Sequence, residues 1–232
     1  KEIKMKIYGL EKLSMVDFGK RCAAVVFTGG CNFRCPFCHN SGLVECTVTP
    51  LDETQVFEYL KKRKGLLDGI VVSGGEPTIQ PDLPDFIAKI REMGYAVKLD
   101  TNGTNYEMLK SLIDRKLVDF VAMDVKNSIS EYPATVGVKN FDHTNILKSI
   151  ELLKSGVVDY EFRTTLVNGL HTLKSITKMA ELLDGAKVLY LQKFVDNGTN
   201  IKDNLSEIPL DIAKSFQNIL QSHISNVYLR GY

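Results

Sequence analysis

Tryptophan is absent from these 232 residues, proline is held to seven, and neither sign of charge is in excess: 29 Lys and Arg face 28 Asp and Glu, a net charge of +1. Balanced charge leaves no broad footprint for a polyanion, so neither nucleic acid nor a membrane surface is an expected partner. No apolar run approaches the roughly 20 residues that span a bilayer, and the start, Lys1 to Tyr8, has no apolar stretch of signal-peptide kind. A soluble cytoplasmic protein is the expectation. The chain also lacks low-complexity tracts and Pro- or Ser-rich linkers, while 44% hydrophobic residues suffice for one sizeable core. Residues 1–232 are therefore expected to form a single domain. A disulfide framework is missing as well: the cysteines are odd in number, and Cys22, Cys31, Cys35, Cys38 and Cys46 crowd the first fifth of the chain. Clustered thiols in a chain with a real core read as metal binding or redox chemistry.

From about residue 66, short β-rich runs alternate with amphipathic helical stretches in units of roughly 25 to 35 residues, the pattern of parallel βα units. The expected strands are Ala23–Thr28, Gly69–Ser73, Ala96–Asp100, Phe120–Val125, Tyr160–Val167 and Lys187–Phe194. Helical patterns fall near Glu53–Lys64, Pro84–Met93, Tyr106–Arg115, Thr144–Lys154 and Leu173–Leu183. The first opens on Asp52-x-x-Gln55, a capping-box variant, and stops at Gly65. Its basic run Lys61–Lys64 reads as a solvated, dipole-compensating end. The polar stretch Asp196–Glu207 reads as a connecting loop before a final helix and a short strand at Val227–Leu229. Continuous apolar strands such as GIVVSG point to an α/β fold with a parallel sheet covered by helices, either doubly wound or a complete or partial barrel. In both, chemistry gathers at strand C-termini. There lie Cys31–Cys38, Gly74-Gly75-Glu76-Pro77, Asp100-Thr101-Asn102-Gly103, Asp124 with Lys126, Arg163 with Thr165, and Gln192.

The segment Gly29–His39 supplies three thiols within eight residues, spaced C-x3-C-x2-C. A Cys₃His zinc site from Cys31, Cys35, Cys38 and His39 is one reading, although adjacent residues seldom both reach one tetrahedral ion. Plain buried thiols are another. The third is an iron–sulfur cubane held by three thiolates, which leaves one iron open to an external ligand. Cys22 and Cys46 read as bystanders.

The C-x3-C-x-φ-C pattern with Phe37 before the last cysteine, followed about 35 residues later by Gly74-Gly75-Glu76-Pro77, resembles the radical S-adenosylmethionine (SAM) superfamily. Through GCNFRCPFCHN, SGGEPT, LDTNG, AMDVKN, EFRTT and LQKFV it is similar to activating enzymes of glycyl radical proteins, above all those of anaerobic ribonucleoside-triphosphate reductase. The resemblance spans residues 25 to 195. It implies a partial (β/α)6 barrel with one [4Fe–4S] cluster and SAM at its C-terminal mouth. It also implies an oxidoreductase that cleaves SAM reductively and takes a hydrogen from a glycine of a large partner. A low-potential flavodoxin or ferredoxin would donate the electron.

On that resemblance Cys31, Cys35 and Cys38 are the iron ligands, and Phe37 with the backbone at His39 faces the adenine. Gly74 and Gly75 let backbone approach the ligand, since a Cβ would obstruct it. Glu76 holds the motif or meets the methionyl amine indirectly. Asp100 and Asp124, with the Thr101 backbone, hold either a monovalent cation or each other through hydrogen bonds. Lys126 contacts ribose or carboxylate, and alternation places it on the side of Asp124. Arg163 anchors the carboxylate or pairs with an Asp. Pyruvate formate-lyase activases place a His near the ribose where this chain offers Gln192 and Phe194, which tells against that partner. A small-molecule enzyme such as a carboxy-deazaguanine synthase, or a non-catalytic Fe–S protein, are the other readings. His143, His171 and His223 read as surface or capping residues.

Overall fold

The computed structural model describes residues 5–196 and 198–232; the first four residues of the Lys1–Tyr8 start, and Asn197 in the Asp196–Glu207 stretch, lie outside it. One eight-stranded sheet organises the chain, its strands in sequence order: β1 Ile7–Ser14, β2 Ala23–Thr28, β3 Gly69–Gly74, β4 Ala96–Thr101, β5 Phe120–Asp124, β6 Asp159–Leu166, β7 Val188–Lys193 and β8 Asn226–Arg230. β2 to β8 are parallel, and β1 runs antiparallel to β2 with two register shifts. The sheet is open, because β1 and β8 do not pair with each other. The six expected parallel strands are present, and β8 extends the short strand anticipated at Val227–Leu229. β1 escaped sequence reading: IYGLEKLS carries a glycine and three polar or charged residues and pairs irregularly as an edge.

The helices are α1 Ser41–Val44, α2 Glu53–Lys62, α3 Leu83–Glu92, α4 Tyr106–Asp114, α5 Tyr132–Val136, α6 Thr144–Lys154, α7 Leu173–Leu182 and α8 Leu210–Gln221. Asp52 caps α2 by accepting the Thr54 N–H at 2.9 Å. Thr172 and Ser175 close a reciprocal capping box on α7. Among the described residues no helix is long and apolar enough to cross a membrane.

Strand alternation divides the sheet chemically. Val97 and Leu99 of β4 join the main core with Leu83, Ile87 and Leu109 from the helices, while Lys98 and Asp100 point to the opposite, concave face. At the strand N-termini a second apolar cluster of Phe18, Ala23, Val25 and Val71 seals that face. Its other end stays polar and open, which fixes where a ligand can enter.

Candidate functional site

A cavity of about 500 Å³, within the range of small-molecule sites, opens at the C-terminal ends of β2 to β7. All the residues that the resemblance assigns to the site border it: Cys31, Cys35, Phe37, Cys38, His39, Gly74, Gly75, Glu76, Asp100, Thr101, Asp124, Lys126 and Arg163. Phe33, Ser73, Asn102, Thr165, Gln192 and Phe194 complete much of the wall.

The cysteine loop leaves β2 and is fastened on several sides. The Cys38 N–H donates to the Cys35 carbonyl at 3.0 Å, and the Arg34 N–H donates to Val136 at 2.8 Å. The Arg34 guanidinium donates to the Cys31 and Phe33 carbonyls at 2.7 and 2.8 Å, and the Phe33 N–H points at the Cys31 sulfur, 3.4 Å away. From the far end of the chain, the Lys202 N–H donates to Pro36 and the Thr199 hydroxyl to His39, at 2.9 and 2.8 Å. The Asp196–Glu207 connection is thus also a brace on this loop. Burial pushes the thiol of Cys31 up to about 12 and that of Cys35 up to about 11, so both carry protons at neutral pH. Among the described residues no three His, Cys, Asp or Glu side chains are arranged to share a single metal ion. Three thiols on one loop facing the cavity are the donor set that a metal centre would use there. Cys22 immediately precedes β2 at the sealed end, with its N–H bound to Asp68, and Cys46 is exposed beyond α1.

The two glycines border the cavity and also pack tightly against the chain itself. A Cβ on Gly75 would lie 1.9 Å from the Gly30 carbonyl oxygen, and one on Gly74 (φ 121°) would lie 2.3 Å from the Thr28 backbone. The missing Cβ atoms let the Gly-Gly-Glu turn approach the cysteine loop, a contact sealed by Gly75 and Glu76 N–H bonds to Thr28 and Gly30. Glu76 is buried and both its oxygens are engaged, Oε1 by Thr78 and Thr101 and Oε2 by the Asn102 N–H. Burial raises its carboxyl in spite of these donors. It ties β3 to β4.

Arg163 settles how the strand-end acids are arranged. Its Nε meets Asp124 Oδ1 at 2.9 Å and its Nη1 meets Asp100 Oδ2 at 3.2 Å, so a guanidinium lies between the two carboxylates. Lys126 Nζ holds Asp124 Oδ2 at 2.7 Å. Burial alone would raise Asp124, but Arg163 and then Lys126 outweigh it and keep the carboxyl below its ordinary range. Burial likewise pulls Lys126 down, and the Asp124 carboxylate more than reverses this, so it stays charged. The sequence reading overlooked Lys98, whose Nζ meets Glu161 at 3.1 Å and the Asp17 carbonyl at 2.6 Å. A lysine two residues before Asp100, on the same face of β4, was the available signal.

His171 is corrected outright: it is neither a surface residue nor a side-chain cap but is buried under the end of β5. Nδ1 accepts the Val167 N–H at 3.0 Å, which leaves the proton on Nε2 to donate to the Lys126 carbonyl at 2.9 Å. With the Lys126 N–H donated to the Tyr132 hydroxyl at 3.1 Å, both backbone polar groups of Lys126 are held.

Residues 25–183 match the family profile described as the Radical SAM superfamily. A protein of Methanocaldococcus jannaschii named as a glycyl-radical enzyme activating enzyme is 32% identical over 98% of this chain and 97% of its own length. The pyruvate formate-lyase-activating enzyme of Clostridium pasteurianum is 26% identical, covering 87% of each chain. A crystal structure of a domain of the pyruvate formate-lyase-activating enzyme from Bacteroides vulgatus shares the fold, with TM-score 0.55 and 19% identity over 68% of this chain and 98% of that one.

Proposed function

This chain belongs to the radical SAM superfamily, and we infer that it is an activating enzyme for a glycyl radical protein, with anaerobic ribonucleoside-triphosphate reductase as that partner. The observation that carries the reading is the convergence of three thiols, a Gly-Gly-Glu turn and a chain of paired charges on one cavity. Cys31, Cys35 and Cys38 would hold three irons of a single [4Fe–4S] cluster; only about 35 residues, without a second cysteine group, separate Cys38 from Gly74. When bound, that cluster supplies the electron that cleaves SAM.

The chain's own residues then bind, orient and shield. Cys31 and Cys35 must give up their protons to take metal, so loading releases acid. Phe37, buried beside Cys38, offers an apolar face to the adenine. Lys126 keeps its charge and its backbone is fixed, so its ammonium can donate to a carboxylate or ribose hydroxyl without searching for position. Glu76 holds the β3 turn in place. Arg163 puts positive charge between Asp100 and Asp124, the pairing with an Asp expected of it from the sequence. The walls exclude water from a species that would abstract hydrogen from any accessible donor. Gln192 and Phe194 border the cavity where the resemblance places a His in the pyruvate formate-lyase branch, which tells against pyruvate formate-lyase as partner.

The test mixes the anaerobically reconstituted protein with SAM, a reductant and the purified reductase. A glycine-centred doublet in the EPR spectrum should require all four. A doublet with pyruvate formate-lyase and none with the reductase would reassign the partner, and 5′-deoxyadenosine formed without any protein radical would point to a small-molecule substrate.

A further inference from the structure

Lys126 is gripped by its backbone from two sides. The Tyr132 hydroxyl of α5 accepts the Lys126 N–H at 3.1 Å, and the ring of His171, in the turn between β6 and α7, donates to the Lys126 carbonyl at 2.9 Å. The first bond orients the peptide plane before the Lys126 Cα and the second orients the plane after it. Together they set φ and ψ of this residue, and with them the direction in which its side chain leaves the chain. A lysine stem is long and rich in rotamers, so an ammonium aimed at a ligand gains from a fixed root.

His171 is held rigidly enough to act as that fixture. Its N–H donates to the Val167 carbonyl at 3.1 Å, and the next residue, Thr172, caps α7. Its ring is confined to one tautomer. The Val167 N–H, 3.0 Å from Nδ1, requires a bare nitrogen there; the Val167 carbonyl, 3.3 Å from the same nitrogen, already accepts the Leu170 and His171 N–H groups at 3.2 and 3.1 Å. Burial lowers the imidazole below its ordinary range, so the ring is neutral at pH 7 and its one proton sits on Nε2. The Asn127 amide reaches the Leu170 carbonyl at 2.9 Å and the Thr135 hydroxyl at 3.0 Å, which draws the two turns together but leaves the Lys126 carbonyl to His171. An apolar side chain would fill the same buried volume; the imidazole adds a donor aimed at this one carbonyl.

We infer that His171 is a positioning residue: through the Lys126 carbonyl it fixes where the Lys126 ammonium stands in the cavity, and so sets the affinity for the carboxylate or ribose hydroxyl that the ammonium meets. It rests on the function inferred above, with SAM as that ligand. His171 is not among the described residues that line the cavity, so its influence on the ligand passes through Lys126. With the second peptide plane freed, the ammonium stays paired with Asp124 at 2.7 Å but no longer presents its remaining donors in one direction.

The experiment separates the two ring bonds. In His171→Asn the side-chain oxygen takes the place of Nδ1 and keeps the Val167 bond but loses Lys126; in His171→Gln the amide N–H takes the place of Nε2 and keeps the Lys126 bond. Equilibrium dialysis of SAM against the anaerobically reconstituted chain should show binding roughly tenfold weaker for His171→Asn and within about twofold of the unaltered protein for His171→Gln, at equal iron content. In a Lys126→Ala background, His171→Asn should have no further effect on affinity. In the metal-free unaltered protein, ¹⁵N NMR of the ring should place its proton on Nε2. Equal weakening by Asn and Gln, a loss that persists in full without the Lys126 ammonium, or a ring protonated on Nδ1 would overturn the inference. If Lys126→Ala alone leaves SAM affinity unchanged, the role given to Lys126 in the proposed function falls and this inference with it; a loss with Lys126→Ala but none with His171→Asn overturns this inference alone.

Discussion

Replacing Gly75 by alanine separates two explanations of the Gly-Gly-Glu turn. The added Cβ would sit 1.9 Å from the Gly30 carbonyl oxygen, so one backbone must retreat by about 1.1 Å merely to reach the 3.0 Å below which such contacts are essentially never seen. Neither side is a flexible side-chain tip. The retreat strains the Glu76 N–H bond to that same oxygen, now 2.8 Å, and crowds Cys31, whose Cβ would be 3.4 Å from the new methyl. Overpacking of this kind costs about 1–3 kcal/mol and the hydrogen bond about 1 kcal/mol more. At roughly 2–4 °C per kcal/mol for a chain this long, the metal-free protein should melt about 4–16 °C lower. Iron bound after reconstitution should fall as well, because the displaced peptide carries the first ligand. Differential scanning fluorimetry of the metal-free variant and iron analysis of the loaded one measure the two effects. If Gly75→Ala melts normally, loads iron fully and loses only SAM affinity, then the glycine serves the ligand and the reasoning from loop contact is wrong.

Cys35→Ala should remove the brown chromophore and SAM cleavage together, measured by visible absorbance and by 5′-deoxyadenosine; full turnover would refute the ligand assignment. Lys126→Ala should keep the iron but weaken SAM binding in equilibrium dialysis, and unchanged affinity would demote the ammonium to a partner of Asp124. Arg163→Met should destabilise the protein by about 3 kcal/mol at pH 7 in denaturant titration, since it leaves Asp100 and Asp124 facing each other without their shared cation. The sign with pH follows from Asp124. Its folded value lies below the unfolded one near 4, so its stabilisation is complete above that pH and is lost as pH falls toward the folded value. The deficit of Arg163→Met should therefore shrink on acidification, and a deficit that does not change with pH would contradict the ion-pair account.

Strand ends were legible because parallel strands buried on the helix side read as apolar runs, so the polar residues that close them stand out: Asp100, Asp124, Arg163 and Gln192 all reached the cavity wall. What could not be read was which polar residues meet one another. Arg163 bridges acids 63 and 39 positions away, and Lys98 reaches Glu161 across two intervening strand pairings. No local period encodes these distances. Gly75 was recognised for the right property, its missing side chain, but its neighbour Gly30 belongs to another loop. His171 looked unremarkable because its two bonds, to Val167 and Lys126, exist only once β5, β6 and the turn before α7 are in place. β1 was missed because an irregular antiparallel edge containing Gly9 lacks the alternation that marks strands.

The brace from Thr199 and Lys202 has a consequence for biosynthesis. During translation the three thiols emerge from the ribosome well before the residues that hold Pro36 and His39 from outside. A nascent chain stalled short of residue 199 would present these cysteines on a loop lacking two of its anchors, open to adventitious metals and oxidants. Maturation machinery that waits for the completed polypeptide would meet a loop already shaped to receive its cargo.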